Sequence, residues 1–367
     1  MIITSLNAEN FKNIAEISLS PDDKYNIISG KNAQGKTNIL EAIWIMSGCR
    51  SFRGSKERDF IRHGEHKMKT ELCFKDSVRE QKIVYELDRK SRKITVNGVN
   101  IRGTAFLFDI FKCIIFTPDD TELVKGSPEK RRNFVDMAAS QFNPVSAGHV
   151  TKCCNALNQR NAVLKNIISG ISDRSEIAVW DGQLSRTGTY VSMMRHKYVA
   201  EFGGICAELY KRITSGNEKL QINYRSNVFS EEDFKSPFSL SVEKYLKKLN
   251  DNLDGDLRLG YTGTGVGRDD ISIKIDGYSA REFASQGQIK SIALVMKLAQ
   301  AEIFKKQCRE SPIILLDDVM GELDENRQLM VFEIIKDMQV FITACNASSL
   351  MSEISGKTMK IDGGRLI

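Results

Sequence analysis

Proline is scarce in this chain, 6 residues in 367. A long disordered linker is therefore not expected, and neither a low-complexity tract nor an internal repeat appears. No apolar run approaches the ~20 residues that a membrane-spanning helix requires. The opening residues, Met1-Ile2-Ile3-Thr4-Ser5-Leu6-Asn7, lack the charged n-region of a secretory signal and read as a strand. The 8 cysteines include no CxxC pair, and only Cys153 and Cys154 are adjacent. That usage suits reduced thiols in a cytoplasm, not a disulfide framework or a zinc site. His63 and His66 are close together, but no cysteine or third histidine joins them, so they read as a surface pair. What remains is a chain of ordinary composition, 41% hydrophobic and 27% charged, long enough for two domains or one elaborated domain.

What the chain does have is organised around Gly30-Lys31-Asn32-Ala33-Gln34-Gly35-Lys36-Thr37, a G-x-x-x-x-G-K-[ST] loop. Tyr25-Asn26-Ile27-Ile28-Ser29 before it suits a buried strand. After it, Ile39, Ala42, Ile43 and Met46 fall on one face of a helix. The two glycines let the backbone wrap its N–H groups around phosphate oxygens, and the helix start adds further N–H groups and a positive dipole end. Lys36 is placed to reach the terminal phosphates, Thr37 to put its hydroxyl on Mg²⁺, and Asn38 follows at the helix start. The loop predicts a nucleotide site with Mg²⁺.

A second half is written far downstream. Pro312-Ile313-Ile314-Leu315-Leu316-Asp317-Asp318 is an apolar strand ending in two carboxylates, the form of a Walker B strand. Asp317 is the expected Mg²⁺ ligand, and Asp318 the acid that orients or polarises the attacking water. Lys36, Asp317 and Asp318 are the candidate catalytic residues. Just before that strand, Ser285-Gln286-Gly287-Gln288 opens a helix that carries Ile289, Ile292, Ala293 and Met296 on one face, a second anion-binding end. With Gly321-Glu322-Leu323-Asp324, the ordered set resembles an ABC-type ATPase head, which implies that the nucleotide is ATP. By contrast, Gly260-Tyr261-Thr262-Gly263-Thr264-Gly265-Val266-Gly267 is no dinucleotide fingerprint, because no amphipathic helix follows it.

Between these halves the pattern changes. Strands are expected at 71–74, 82–87 and 93–96, with a type I′ hairpin at Val96-Asn97-Gly98-Val99, then a buried strand at 113–116. From about 125 the pattern is helical. Ser127-Pro128 starts one helix, Asn143-Pro144 ends it, and Gly170 stops a second. A third shows Ile177, Trp180, Leu184, Thr187, Val191, Met194 and Tyr198 at steps of three and four, a bundle-core seam. Strands return at 220–224 and 271–275, with a helix near 240–250. The reading is an α/β fold: an ATPase head with a mixed sheet and an antiparallel β lobe, interrupted by an inserted, mainly helical domain. Its parts are placed at 1–124, 125–254 and 255–367.

Net charge is +6, unevenly spread. Residues 50–69 hold seven Lys or Arg against three acids, and Lys130-Arg131-Arg132 form a second cluster. Arg53, Lys56, Arg58, Arg62, Lys130, Arg131 and Arg132 are candidate contacts to nucleic-acid phosphates.

Several stretches narrow the resemblance to the RecF family of bacterial recombination mediators. They are Phe116-Thr117-Pro118-Asp119-Asp120, Val124-Lys125-Gly126-Ser127-Pro128 with Arg131-Arg132, Ala156-Leu157-Asn158-Gln159-Arg160-Asn161, Ala284-Ser285-Gln286-Gly287-Gln288 and Asp317-Asp318-Val319. The resemblance covers essentially the whole chain. It implies a cytoplasmic, two-lobed ATPase head acting at DNA gaps, ATP-driven homodimerisation, and a signature segment that closes on nucleotide held by the other copy. It also implies partners such as RecR and RecO. Gly265-Val266-Gly267-Arg268-Asp269-Asp270 departs from the family's G-P-H-R-D-D, and Asn346 stands where the family has Asp. A transporter ATPase would carry L-S-G-G-Q and a switch histidine, and this chain carries neither. An SMC-like head would need hundreds of heptad residues between Thr37 and Ser285, where much of the interval reads as strands.

Overall fold

In a computed structural model, residues 1–308, 310–344 and 356–367 are described. Alternation builds the first layer. Along β4 (Lys67–Lys75) and β5 (Glu80–Asp88), Met68, Thr70, Leu72 and Phe74 and then Ile83, Tyr85 and Leu87 are buried, while the intervening charged residues face outward. With β1 (Ile2–Phe11), β2 (Ile14–Leu19), β6 (Arg92–Val96) and β7 (Val99–Asn100) they form an antiparallel sheet of order β2-β1-β4-β5-β6-β7. The hairpin between β6 and β7 has the expected turn, with φ of 50° at Asn97 and 82° at Gly98.

A second sheet is of the opposite kind. Its order is β15-β14-β3-β13-β12-β8, from β3 (Tyr25–Ser29), β8 (Cys113–Phe116), β12 (Ile313–Asp317), β13 (Val340–Ala344), β14 (Lys357–Asp362) and β15 (Arg365–Leu366). Every pairing except β14–β15 is parallel. β8, β12 and β13 are buried along their whole length, as continuous Ile/Leu/Val/Phe runs require. Helix α1 (Lys36–Ile45) follows β3. The sequence pattern marks one inner face on it, yet Leu40, Glu41, Trp44 and Ile45 are buried as well.

These sheets form one unit, residues 1–120 with 294–367; residues 121–293 form another. The second unit holds the helices Pro128–Phe142, Pro144–Ile168, Ile177–Ile213 and Phe238–Asp251. The third runs beyond the seam read from the sequence, burying Phe202, Cys206, Leu209 and Tyr210 in its extra turns. The unit also holds a sheet of order β11-β10-β9, from β9 (Leu220–Arg225), β10 (Asp270–Ile275) and β11 (Tyr278–Ser279). The insert thus ends later than the expected 254, because β10 pairs with β9 from Asp270↔Arg225 to Ile275↔Leu220 and so stays with it.

The loop that departs from the family pattern has a structural task. Asp269 is fully buried and accepts hydrogen bonds from the Tyr224 hydroxyl, from the Asn227 N–H (2.7 Å) and from Ser192 (3.4 Å). Gly265 has φ of 94°, and a Cβ there would lie 1.9 Å from the Tyr245 hydroxyl, so no other residue fits.

Candidate nucleotide site

The loop between β3 and α1 must turn sharply while keeping its N–H groups inward. Gly35 achieves this at φ of 111°, and a Cβ there would come within 2.8 Å of Asn13 Oδ1. Ala33 also takes a positive φ, 63°. Lys36 is only 4% exposed, and its Nζ donates to the carbonyls of Gly30 (2.8 Å) and Lys31 (3.2 Å), so the ammonium lies inside the loop. No acidic residue sits in the first turn of α1 and no side chain caps it, which leaves the positive helix end available to an anion. Gln34 is held from outside: its carbonyl accepts from Gly364 N–H (3.0 Å) and its side chain from Gly363 N–H (2.5 Å). Lys31 and Asn32 are exposed.

β13 lies between β3 and β12, pairing Thr343 with Ile28 on one side and with Asp317 on the other. The sheet therefore delivers three polar groups to one end. Asp317 Oδ1 accepts from Thr37 Oγ1 (2.9 Å) and from Thr343 Oγ1 (2.9 Å). Burial pushes the Asp317 carboxyl above its ordinary range; the two hydroxyls oppose that, and the neighbouring Asp318 charge adds to it. Hydroxyl and carboxylate oxygens are hard donors, and Mg²⁺ takes few protein ligands when phosphates supply the rest. Thr37 and Asp317 fit it. Asp318 is exposed, with φ of 52°, and its N–H donates to Thr343 Oγ1 (2.9 Å).

Two of these groups were not read from the sequence. Thr343 is one, a hydroxyl at the end of a buried strand, which is a usable sequence signal; Asn346, beyond it, lies outside the described residues. Asn13 is the other. It takes Asn38 Nδ2 on its Oδ1 (2.7 Å) and donates to Ala33 O (3.4 Å), and nothing in its local sequence marks it.

In the second unit, Ser285 and Gln288 form a reciprocal capping box. Gln288 N–H donates to Ser285 Oγ (3.2 Å) and Ser285 N–H to Gln288 Oε1 (2.7 Å), at the start of the helix Gln286–Cys308. Gln288 Nε2 is tied to Glu218 (3.0 Å). Gln286 and Gly287 are exposed, and a Cβ at Gly287 would meet open space.

The expected nucleic-acid contacts divide. Lys56 and Arg58 are exposed, and Arg62 is half-buried. Lys130 is exposed beside Glu122 (2.9 Å). Arg131 is corrected: it is 4% exposed, with Nε and Nη2 on Asp270 (2.8 and 2.9 Å) and Nη1 on Gly126 O (2.9 Å), so its charge faces inward. Arg132 donates to Asp269 O (2.8 Å) and is half-buried. Consecutive helix positions point about 100° apart, so a run of three basic residues cannot share one face. Arg53 is placed beside the nucleotide loop, its Nη1 donating to Asn38 Oδ1 (3.1 Å).

A family model described as RecF/RecN/SMC N terminal domain matches residues 2–362. Proteins named DNA replication and repair protein RecF are similar throughout. The one from Agathobacter rectalis is 34% identical over 94% of this chain and 92% of its own. The one from Clostridioides difficile is 31% identical over 100% and 98%. The solved structure of the recombination mediator protein RecF-ATP in the RecFOR pathway matches with TM-score 0.93 at 31% identity, over 100% of this chain and 97% of that one. An Smc head bound to the C-winged helix domain of ScpA shares the fold alone, with TM-score 0.58 at 14% identity, over 100% and 97%.

Proposed function

Because this chain belongs to the RecF family, within the broader RecF/RecN/SMC N-terminal domain group, we propose that it is an ATP-driven DNA clamp of recombinational repair. It is a RecF-type ATPase. Lys36 and the N–H groups of residues 30–38 bind the terminal phosphates. Thr37 and Asp317 hold Mg²⁺, which when bound offsets phosphate charge. Asp318 orients the attacking water and takes up its proton. ATP brings two copies together, with Ser285-Gln286-Gly287-Gln288 of each closing on nucleotide held by the other, and slow hydrolysis releases them. The closed dimer sits at gaps and single-strand/double-strand junctions in the cytoplasm and, with RecR- and RecO-type partners, helps load recombinase on single-stranded DNA. The exposed Lys56, Arg58 and Lys130 supply phosphate contacts. No helix among the described residues is long and apolar enough to cross a membrane.

The observation that carries this reading is the 2.9 Å bond from Thr37 Oγ1 to Asp317 Oδ1, which joins the P-loop to the Walker B strand. The test is a gel-shift series on duplex, single-stranded and gapped DNA, with light scattering for dimers. Binding to gapped DNA and dimer formation should both require ATP. Equal DNA retention with and without ATP would refute the clamp.

A further inference from the structure

Helix α1 carries one acid, Glu41, and it is fully buried. An ionised carboxylate in that position is costly unless its oxygens are hydrogen-bonded and its charge paired. Both conditions are met, by residues from two other places in the chain. Lys12, which follows β1, puts its ammonium on Glu41 Oε2 and also donates to Ser55 Oγ (3.0 Å). Ser51, in the segment after α1, donates its hydroxyl to Glu41 Oε1. That same Ser51 Oγ accepts the N–H groups of Arg53 (3.2 Å) and Ser55 (3.2 Å). One turn further along α1, Trp44 Nε1 donates to Arg50 O (2.8 Å). The far end of the segment is fastened too, by Lys12 N–H to Phe60 O (2.8 Å) and Arg62 N–H to Asn10 O (2.8 Å).

The segment is therefore built rather than loose, and its geometry is set from inside the P-loop helix. Its product is the position of Arg53, whose backbone is pinned at Ser51 and whose guanidinium reaches Asn38 on the first turn of the same helix. We propose that Glu41 is a positioning residue for ATP hydrolysis: with Lys12 and Ser51 it fixes the 50–56 segment so that Arg53 presents its charge at the nucleotide site. Glu41 touches no substrate and acts through Arg53.

The inference rests on the ATPase reading above, and its test keeps the two separate. Steady-state ATP turnover and nucleotide affinity are measured on the full chain for wild type, Glu41→Gln, Ser51→Ala, Ser51→Thr, Arg53→Ala and the double variant Glu41→Gln/Arg53→Ala. Arg53→Ala should lower kcat at least tenfold. Glu41→Gln should lower it about tenfold, as loss of a supporting partner commonly does, with KM within about twofold of wild type. Ser51→Ala removes one hydroxyl without disturbing the helix interior, so it reports even where Glu41→Gln folds poorly; it should lower kcat several-fold, and Ser51→Thr should restore it. The double variant should match Arg53→Ala alone, because Glu41 has nothing left to position. Multiplied losses in the double variant would overturn the proposal, and so would undiminished turnover in Ser51→Ala or Arg53→Ala. An inactive wild type would instead refute the ATPase reading.

Discussion

Asp317 is held where charge is costly: it is 7% exposed and beside a second carboxylate. Its raised folded pKa means that it favours the fold while protonated, and that this contribution is lost as pH rises through the folded value. Once deprotonated, the carboxylate carries a charge that burial penalises and that the two hydroxyls only partly offset, one that Mg²⁺ would neutralise. Asp317→Asn keeps the oxygen on which Thr37 and Thr343 donate and removes the charge. We expect this variant to melt roughly 2–4 °C above wild type at pH 7 without nucleotide, the equivalent of about 1 kcal/mol, and to have lost Mg²⁺-dependent hydrolysis. The gap should narrow as pH falls and wild-type Asp317 gains its proton; a lower melting temperature at pH 7 would show that the carboxylate stabilises the nucleotide-free site. Lys36 is confined differently. Its ammonium fits between two carbonyls at 2.8 and 3.2 Å, so the wider planar guanidinium of Lys36→Arg should weaken ATP binding at least about tenfold, measured by calorimetry. These residues were legible because a P-loop and a Walker B strand each fix residue type at fixed spacing. Thr343 and Asn13 were not, since each acts through a pairing that only the folded sheet and turn create.

Elements built from continuous apolar runs or strict alternation matched their sequence pattern, as β12 and β4 do. What the pattern could not show was how polar groups are used once buried. Arg160, in the stretch Ala156–Asn161, is fully buried in the helix Pro144–Ile168; it pairs with Asp181 on the next helix (2.5 Å) and with Asp256 (2.6 Å), and donates to Thr262 (2.9 Å). Read from sequence, that stretch carries only a family likeness; in the fold, its arginine joins three parts of the second unit. Arg160→Met would leave two carboxylates buried without their cation, which should destabilise the unit by about 3–5 kcal/mol, seen as a lower urea midpoint. Wild-type stability in this variant would mean that the aspartates find water or other donors. Lys130-Arg131-Arg132 makes the same point: composition shows a basic patch, whereas helical geometry turns Arg131 inward onto Asp270.

The long separation of the two site halves in sequence signalled an insert, but its end could not be read there, because β10 joins β9 only through pairing across two intervening α-helices. In the proposed dimer each site takes its P-loop from one copy and its signature from the other. A complementation experiment tests this. Lys36→Ala disables the P-loop and leaves the signature intact; Ser285→Arg leaves the P-loop intact and places a bulky side chain at the exposed helix start. Ser285 also caps that helix, a role worth about 1 kcal/mol, so Ser285→Ala is the control that removes the cap without adding bulk. If two copies sandwich ATP, Ser285→Arg should bind ATP as a monomer yet neither dimerise nor hydrolyse, while Ser285→Ala should still dimerise. Mixing Ser285→Arg with Lys36→Ala then creates one composite site with an intact P-loop from the first and an intact signature from the second, its other site being doubly broken. ATPase activity should return to at most about half of wild type, by count of the sites in a two-fold dimer. ATP-dependent dimers of Ser285→Arg by itself, seen in light scattering, would exclude closure of this helix start on the partner's nucleotide.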